Sequence, residues 1–228
     1  PISGFVETMQ TLALQEKEHH RVLELMKQQT SRMESLVSDL LLLATLEGSP
    51  KPAIAQWVPL GPLLQSAVSD GQHLSVGQHD LLCGVAPEQE LELAVEEREM
   101  ASALGNLVSN AVRYTPAGGR IELQANLRAD GYLELKVIDN GIGIERHHLP
   151  RITQRFYRVD KSRSRATGGT GLGLAIVKHA ITRYGGELLV DSTPGEGSCF
   201  TLTLPPARVR VVGTELLSSP GFMPSSPS

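Results

Sequence analysis

Met26, Thr30, Met33, Val37, Leu40 and Ala44 recur at alternating spacings of four and three residues. This is a heptad seam, and it predicts one long helix running to the Gly48-Ser49-Pro50 punctuation. Leu36, Leu41 and Leu43 widen the stripe. Upstream, Ile2, Phe5, Met9 and Leu12 predict a first helix, and the polar break from Gln15 to His20 predicts the turn between the two. Residues 1–48 therefore read as an α-helical hairpin. One hairpin cannot cover so wide a stripe. Two hairpins packed as a dimeric four-helix bundle would, which predicts a homodimer. The competing expectation is that the hairpin packs on the rest of its own chain.

After a linker at 49–56 the period changes. Leu60 to Leu74 and Glu97 to Tyr114 predict helices, the second with Met100, Leu104, Leu107, Val108 and Ala111 turned inward. Asp80 to Val85 and Leu91 to Val95 are candidate strands. Ile121, Leu123, Ala125 and Leu127 alternate with polar residues, as do Leu133, Leu135 and Val137, and Asp130-Gly131 supplies the turn between them. Leu172 to Tyr184 predicts a helix stopped by Gly185-Gly186, followed by strands at Leu188 to Val190 and Phe200 to Leu204. Neighbouring strands joined by short turns predict an α+β sandwich over residues 57–206, a mixed or antiparallel sheet against helices. Residues 207–228 read as a largely flexible tail, rich in Ser and Pro beyond Ser218.

Composition narrows the function classes. The chain has 228 residues and a net charge of −4. That balance argues against nucleic acid or an anionic membrane as the main partner. No apolar run reaches transmembrane length and no leader opens the sequence, so membrane attachment is expected only through segments upstream. Cys83 and Cys199 are the only cysteines and lie far apart, which excludes a disulfide framework and a Cys-based zinc site. The charge is uneven. Residues 145–165 hold seven Arg and Lys against Glu145 and Asp160, a net +5. The remainder carries −9. Such a stretch is either a solvated loop or a surface that meets an anion.

Three short segments carry candidate chemistry. Asn106, Asn110 and Arg113 share the polar face of one predicted helix. An amide oxygen can ligate Mg²⁺ without adding charge, Arg113 can meet a phosphate, and the ring of Tyr114 can cover a flat base. Asp139-Asn140-Gly141-Ile142-Gly143 ends a predicted strand. A carboxylate there can accept a hydrogen bond from the exocyclic amine of adenine, and the glycines permit close approach. Gly168-Gly169-Thr170-Gly171-Leu172-Gly173 precedes a helix, a phosphate cradle without the Lys of a Walker loop.

In this order, with Arg155-Phe156-Tyr157-Arg158 between the second and third segments, the chain resembles the sensor histidine kinases, whose N, G1, F and G2 boxes these segments match from about Trp57 to Pro206. Arg32 to Leu41 is similar to the second helix of that family's dimerisation hairpin, and Phe156 to Leu174 is similar to the phosphate-regulon sensor kinases. The resemblance implies an ATP-binding domain of the histidine kinase/Hsp90-like type. It implies ATP and Mg²⁺ as cofactors, with Asn110 on the metal and Asp139 reading adenine. Asn106, Arg113, Tyr114, Gly141, Gly143, Arg158, Gly169, Thr170, Gly171, Leu172, Gly173 and Thr201 would line the nucleotide. It further implies γ-phosphoryl transfer to a His, relay to the Asp of a response-regulator receiver domain, and a place on the cytoplasmic side of the bacterial inner membrane. Related ATPases carry a Glu where Asn106 stands, and an amide cannot take a proton from water, so hydrolysis is expected to be slow. The family's acceptor His precedes a Leu-Arg-Thr-Pro-like run, and no such run stands in these residues. His19 and His20 fall in the expected turn. A non-catalytic ATP-binding and dimerisation module is the alternative, and an ATP-hydrolysing relative of the same fold is a third reading.

Overall fold

The computed structural model describes residues 16–54, 56–85, 90–159 and 169–212. Helix α1 runs from Glu16 to Gly48, 33 residues and so about 50 Å. Two expectations change here. Glu16 to His20 is helix and not a turn, because Glu, Lys and His carry no helix-breaking geometry and neither Gly nor Pro interrupts them. The heptad seam itself stays open, and the covered residues lie beside it. Leu43 and Leu46 are buried against the following domain, whereas Met33, Val37 and Leu40 remain exposed. The first helix of the expected hairpin, with Ile2, Phe5, Met9 and Leu12, lies outside the described residues.

The domain after α1 holds two sheets. Strands β1 (Val58–Pro59), β3 (Glu90–Leu93) and β8 (Val209–Val212) form a small antiparallel sheet with β3 in the middle. Strands β2 (Asp80–Val85), β4 (Arg120–Leu127), β5 (Leu133–Asp139), β6 (Glu187–Thr193) and β7 (Gly197–Leu204) form a mixed sheet in the order β2-β4-β5-β7-β6. Only β2 and β4 are parallel; β4, β5, β7 and β6 are antiparallel neighbours. Helices α2 (Leu60–Ser75), α3 (Glu97–Tyr114) and α4 (Gly173–Arg183) complete the fold. This is the expected α+β sandwich.

Alternation decides which face meets the helices. Ile121, Leu123, Leu135, Val137 and Leu202 join Met100, Leu104, Leu107, Ile176 and Ile181 in one core. The other sheet face carries Glu122, Gln124, Glu134 and Lys136, the last two paired at 2.9 Å. On the helical side the register sets Asp139 opposite Ser198, and Asp139 is the last residue of β5. That end of the sheet is where the site is built.

Residues 207–212 were expected to be flexible, and the structure corrects this. Val209 and Val211 stand opposite Leu93 and Leu91 in the small sheet, while Arg210 pairs with Glu92 and lies over the Trp57 ring. A four-residue strand is too short to show its period. Arg208 donates to the carbonyls of Pro52, Ala53 and Ala94, and Arg183 to that of Pro50. The described part of the 49–56 linker is thereby held by charge-assisted hydrogen bonds along its backbone. The Ser/Pro-rich segment beyond Ser218 lies outside the described residues.

Candidate nucleotide site

A cavity of about 620 Å³ opens beside α3, between the loop after β5 and the segment leading into α4. That size suits a small-molecule cofactor. Its floor includes Asp139, which is only 7 % exposed. Burial pushes this carboxyl above the ordinary aspartate value, and hydrogen bonds from the Gly141 and Ser198 backbone N–H groups pull the other way. The Gly141 bond measures 2.9 Å. Ile142, Ile144, Ile152 and Phe200 add apolar surface. The position therefore presents a buried acceptor beside an apolar slot, which suits a flat heterocycle carrying an amine.

The loop that shapes this slot needs its glycines. A Cβ on Gly141 would lie 2.5 Å from the Tyr114 carbonyl oxygen. One on Gly143, whose φ is +67°, would lie 2.0 Å from the Thr193 carbonyl oxygen. The closeness serves a purpose: Ile142 donates to the Tyr114 carbonyl at 3.1 Å and accepts from Gly195 at 2.8 Å. The loop is laced to the end of α3 on one side and to the β6–β7 turn on the other.

The polar wall comes from α3. Asn106, Asn110 and Arg113 are half-buried and line the cavity, with Tyr114 at its edge. Asn106 Nδ2 donates to the Ser102 carbonyl at 3.0 Å, which leaves Oδ1 toward the start of α4. A Cβ on Gly173 would lie 2.4 Å from that oxygen, so a larger residue there would have to displace the Asn106 amide. The Asn110 side chain makes no hydrogen bond to a described residue, so its amide oxygen is available to a hard cation. The residues present thus fit Mg²⁺ at Asn110 with a polyanion beside it.

Positive charge gathers at the opposite end. Arg158 donates to the Gly169 carbonyl, and Arg113 and Arg158 flank Gly169. Burial pushes the Arg158 guanidinium below its ordinary value; Tyr114 opposes this, and Arg113 and Arg32 add like-charge repulsion. An anion would relieve that repulsion. Gly169, Thr170, Gly171 and Gly173 line the same end. Gly171 has φ +75° and its carbonyl accepts from Phe156 N–H at 2.9 Å, which ties the loop to the Arg155–Arg158 segment.

Several expected positions fall elsewhere. Thr201 does not line the cavity. Strand parity sends Ser198 and Phe200 toward it and Thr201 to the outer sheet face, beside Cys199 and opposite Lys136. Leu172 is fully buried in the core, where it anchors the loop, and Gly141 shapes the cavity without lining it. Of the described bases in the 145–165 stretch, only Arg158 lines the cavity. Arg155 pairs with Glu47 of α1, and Arg151 lies 4.5 Å over the Tyr157 ring. Lys161, Arg163, Arg165 and Gly168 lie outside the described residues. Ser35 and Asp39 of α1, Thr115 and Tyr157 line the cavity without having been expected there. Polar residues inside a leucine-rich helix were the available signal for the first two. Glu145, His147 and His148 gather at the exposed lip, where His148 Nδ1 and the Tyr157 hydroxyl are 2.6 Å apart.

Residues 95–208 match the family model described as histidine kinase-, DNA gyrase B- and HSP90-like ATPase. The phosphate regulon sensor protein PhoR of Pseudomonas aeruginosa is 47% identical over 190 residues, covering 83% of this chain and 42% of that protein. The sensor histidine kinase WalK of Bacillus subtilis is 34% identical over 186 residues, 81% of this chain and 30% of that one. The chain thus spans less than half the length of these relatives. Among solved structures, full-length ShkA in complex with AMPPNP superposes with a TM-score of 0.67 at 26% identity, covering 85% of this chain and 40% of that one. The Acinetobacter baumannii histidine kinase AdeS gives 0.67 at 18% identity, over 90% and 92%, and supports the fold alone. No helix among the described residues is long and apolar enough to cross a membrane.

Proposed function

Since the chain belongs to the family of histidine kinase-, DNA gyrase B- and HSP90-like ATPases, on its sensor histidine kinase branch, we propose that it binds Mg-ATP and passes the γ-phosphoryl group to a histidine, for relay to an aspartate of a response regulator. The observation that carries this reading is the joining of two unlike ends in one cavity. A buried carboxylate beside an apolar slot suits adenine, and an arginine cluster at a glycine-rich loop suits its phosphates.

Asn110 would hold Mg²⁺, which supplies charge neutralisation at the phosphates when bound. Arg113 and Arg158 orient the phosphate chain, and the apolar walls exclude water from the slot. Asn106 keeps an amide where hydrolytic relatives need a base, so the site favours a nucleophile that needs no deprotonation, such as a neutral imidazole. Rate enhancement then rests on positioning and on charge stabilisation. Homodimerisation would use the exposed Met33, Val37 and Leu40 seam. On this reading the domain works at the cytoplasmic face of a membrane, held there by segments upstream.

The test supplies a histidine-bearing hairpin as a separate acceptor, with γ-labelled ATP. Label on the acceptor histidine is expected. Tight Mg-ATP binding without transfer would make the chain a non-catalytic module, and rapid phosphate release without acceptor would make it a hydrolytic ATPase. A second expectation concerns the metal: Asn110→Ala should bind ATP equally with and without Mg²⁺ in a calorimetric titration. An unchanged Mg²⁺ response would remove Asn110 from the metal.

A further inference from the structure

We propose that Asp39 of α1 is a built-in competitor for the phosphate end of the cavity, so that nucleotide binding and the docking of α1 oppose each other. This rests on the Mg-ATP reading above. The Thr170 hydroxyl donates to Asp39 Oδ2 at 2.8 Å and accepts from the Leu172 N–H at 3.2 Å, so both its hydrogen-bonding roles are used. Asp39 and Ser35 line the cavity, although they lie more than 130 residues from the loop they meet.

The placement has an electrostatic cause. The loop leads into the N-terminus of α4, an 11-residue helix, where N–H groups and the helix dipole favour negative charge. Arg113 and Arg158 stand beside it, and Arg32 of α1 is near enough to disturb Arg158. These features would draw in a triphosphate, and they attract the Asp39 carboxylate for the same reason. Asp39 takes one part of the role that phosphate oxygens would fill, as acceptor for Thr170. Farther along α1, Glu47 binds Arg155 and lies 3.3 Å from His179, and Leu43 and Leu46 are buried. Those contacts hold α1 in register and deliver Asp39 to the loop.

A triphosphate brought to the loop meets the Asp39 carboxylate as a like charge. Its arrival therefore weakens the Asp39–Thr170 bond, and the docked helix in turn lowers nucleotide affinity by the same factor. Adenosine carries no phosphate and is not subject to this opposition.

The experiment compares the unmodified chain with Asp39→Asn, an isosteric change at a half-buried position. Calorimetry measures Mg-ATP and adenosine on each, and hydrogen exchange follows residues 35–46. Asp39→Asn should bind Mg-ATP about fivefold more tightly or better, the lower end of ordinary site-to-site coupling, and adenosine with unchanged affinity. Mg-ATP should speed exchange in α1 of the unmodified chain. Unchanged Mg-ATP affinity, or an equal gain for adenosine, would overturn the competition. Weaker Mg-ATP binding would also overturn it and make Asp39 a metal ligand. Failure of both forms to bind Mg-ATP would remove the nucleotide reading itself, and the competition with it.

Discussion

Asp139→Asn is expected to lower ATP affinity by about ten- to a hundredfold, the scale of one hydrogen bond to a charged group, while GTP affinity falls less or not at all. Asp139 is buried at the end of β5 and bound by the Gly141 N–H at 2.9 Å. As an ion it can only accept, which matches the exocyclic amine of adenine and opposes the carbonyl that guanine carries there. An asparagine offers an NH₂ of its own and loses that discrimination. A paired titration with the two nucleotides decides the matter, and equal losses would remove Asp139 from base recognition. The same burial gives a pH signature. Because the carboxyl of the free protein lies above the ordinary aspartate value, its proton returns at a higher pH than usual. ATP affinity should therefore fall as pH drops toward that raised value, and Asp139→Asn should flatten this part of the profile.

A large loss of stability is expected from Gly197→Ala. Gly197 opens β7 with φ +121°, and a Cβ there would lie 1.9 Å from the Asp139 carbonyl oxygen and 2.8 Å from Asn140 Cα. Both atoms are backbone and neither can swing aside. Overpacking and backbone strain together should cost about 3 kcal/mol or more. Gly195 provides the comparison, since its φ is also positive but nothing lies within 4 Å of an added Cβ. Gly195→Ala should cost only about 1 kcal/mol, the strain alone. Urea denaturation of the pair separates the contributions, and equal losses would show that the close approach at Gly197 carries no cost. Since Gly197 lies beside the residue that the floor depends on, the unfolding loss should be accompanied by weaker ATP binding.

Local pattern carried much of this fold. The predicted bounds of α3 match the observed Glu97–Tyr114, because its inward residues keep a steady helical period and Glu96 caps its start by accepting from Glu99 N–H at 2.8 Å. The β4–β5 hairpin was legible for a similar reason, with strict alternation interrupted by Asp130-Gly131. Partners distant in sequence were not. The valines of β8 mean little until Leu91 and Leu93 stand opposite them. Thr201 illustrates a different point. Its neighbours Phe200 and Leu202 are apolar and Thr203 is polar, so the alternation along β7 places it on the outer face.

The site divides in the same way. Asn106, Asn110, Arg113 and Asp139 were recognisable because each motif keeps its spacing on one element. Asp39 was not, because a heptad reading assigns every apolar position to a partner helix and regards the remaining surface as solvent. In the structure α1 has two distinct surfaces, an apolar seam left open and a polar edge turned into the cavity.

The Arg208 guanidinium has a mechanical meaning. Its bond to the Pro52 carbonyl closes a loop of 156 residues, so the peptide leaving α1 and the peptide leaving β7 meet at one corner. Charge-assisted bonds to successive carbonyls restrain the linker at that corner. The peptide that leaves α1 and the peptide that leaves β7 thus share one anchoring point, although they are distant in sequence.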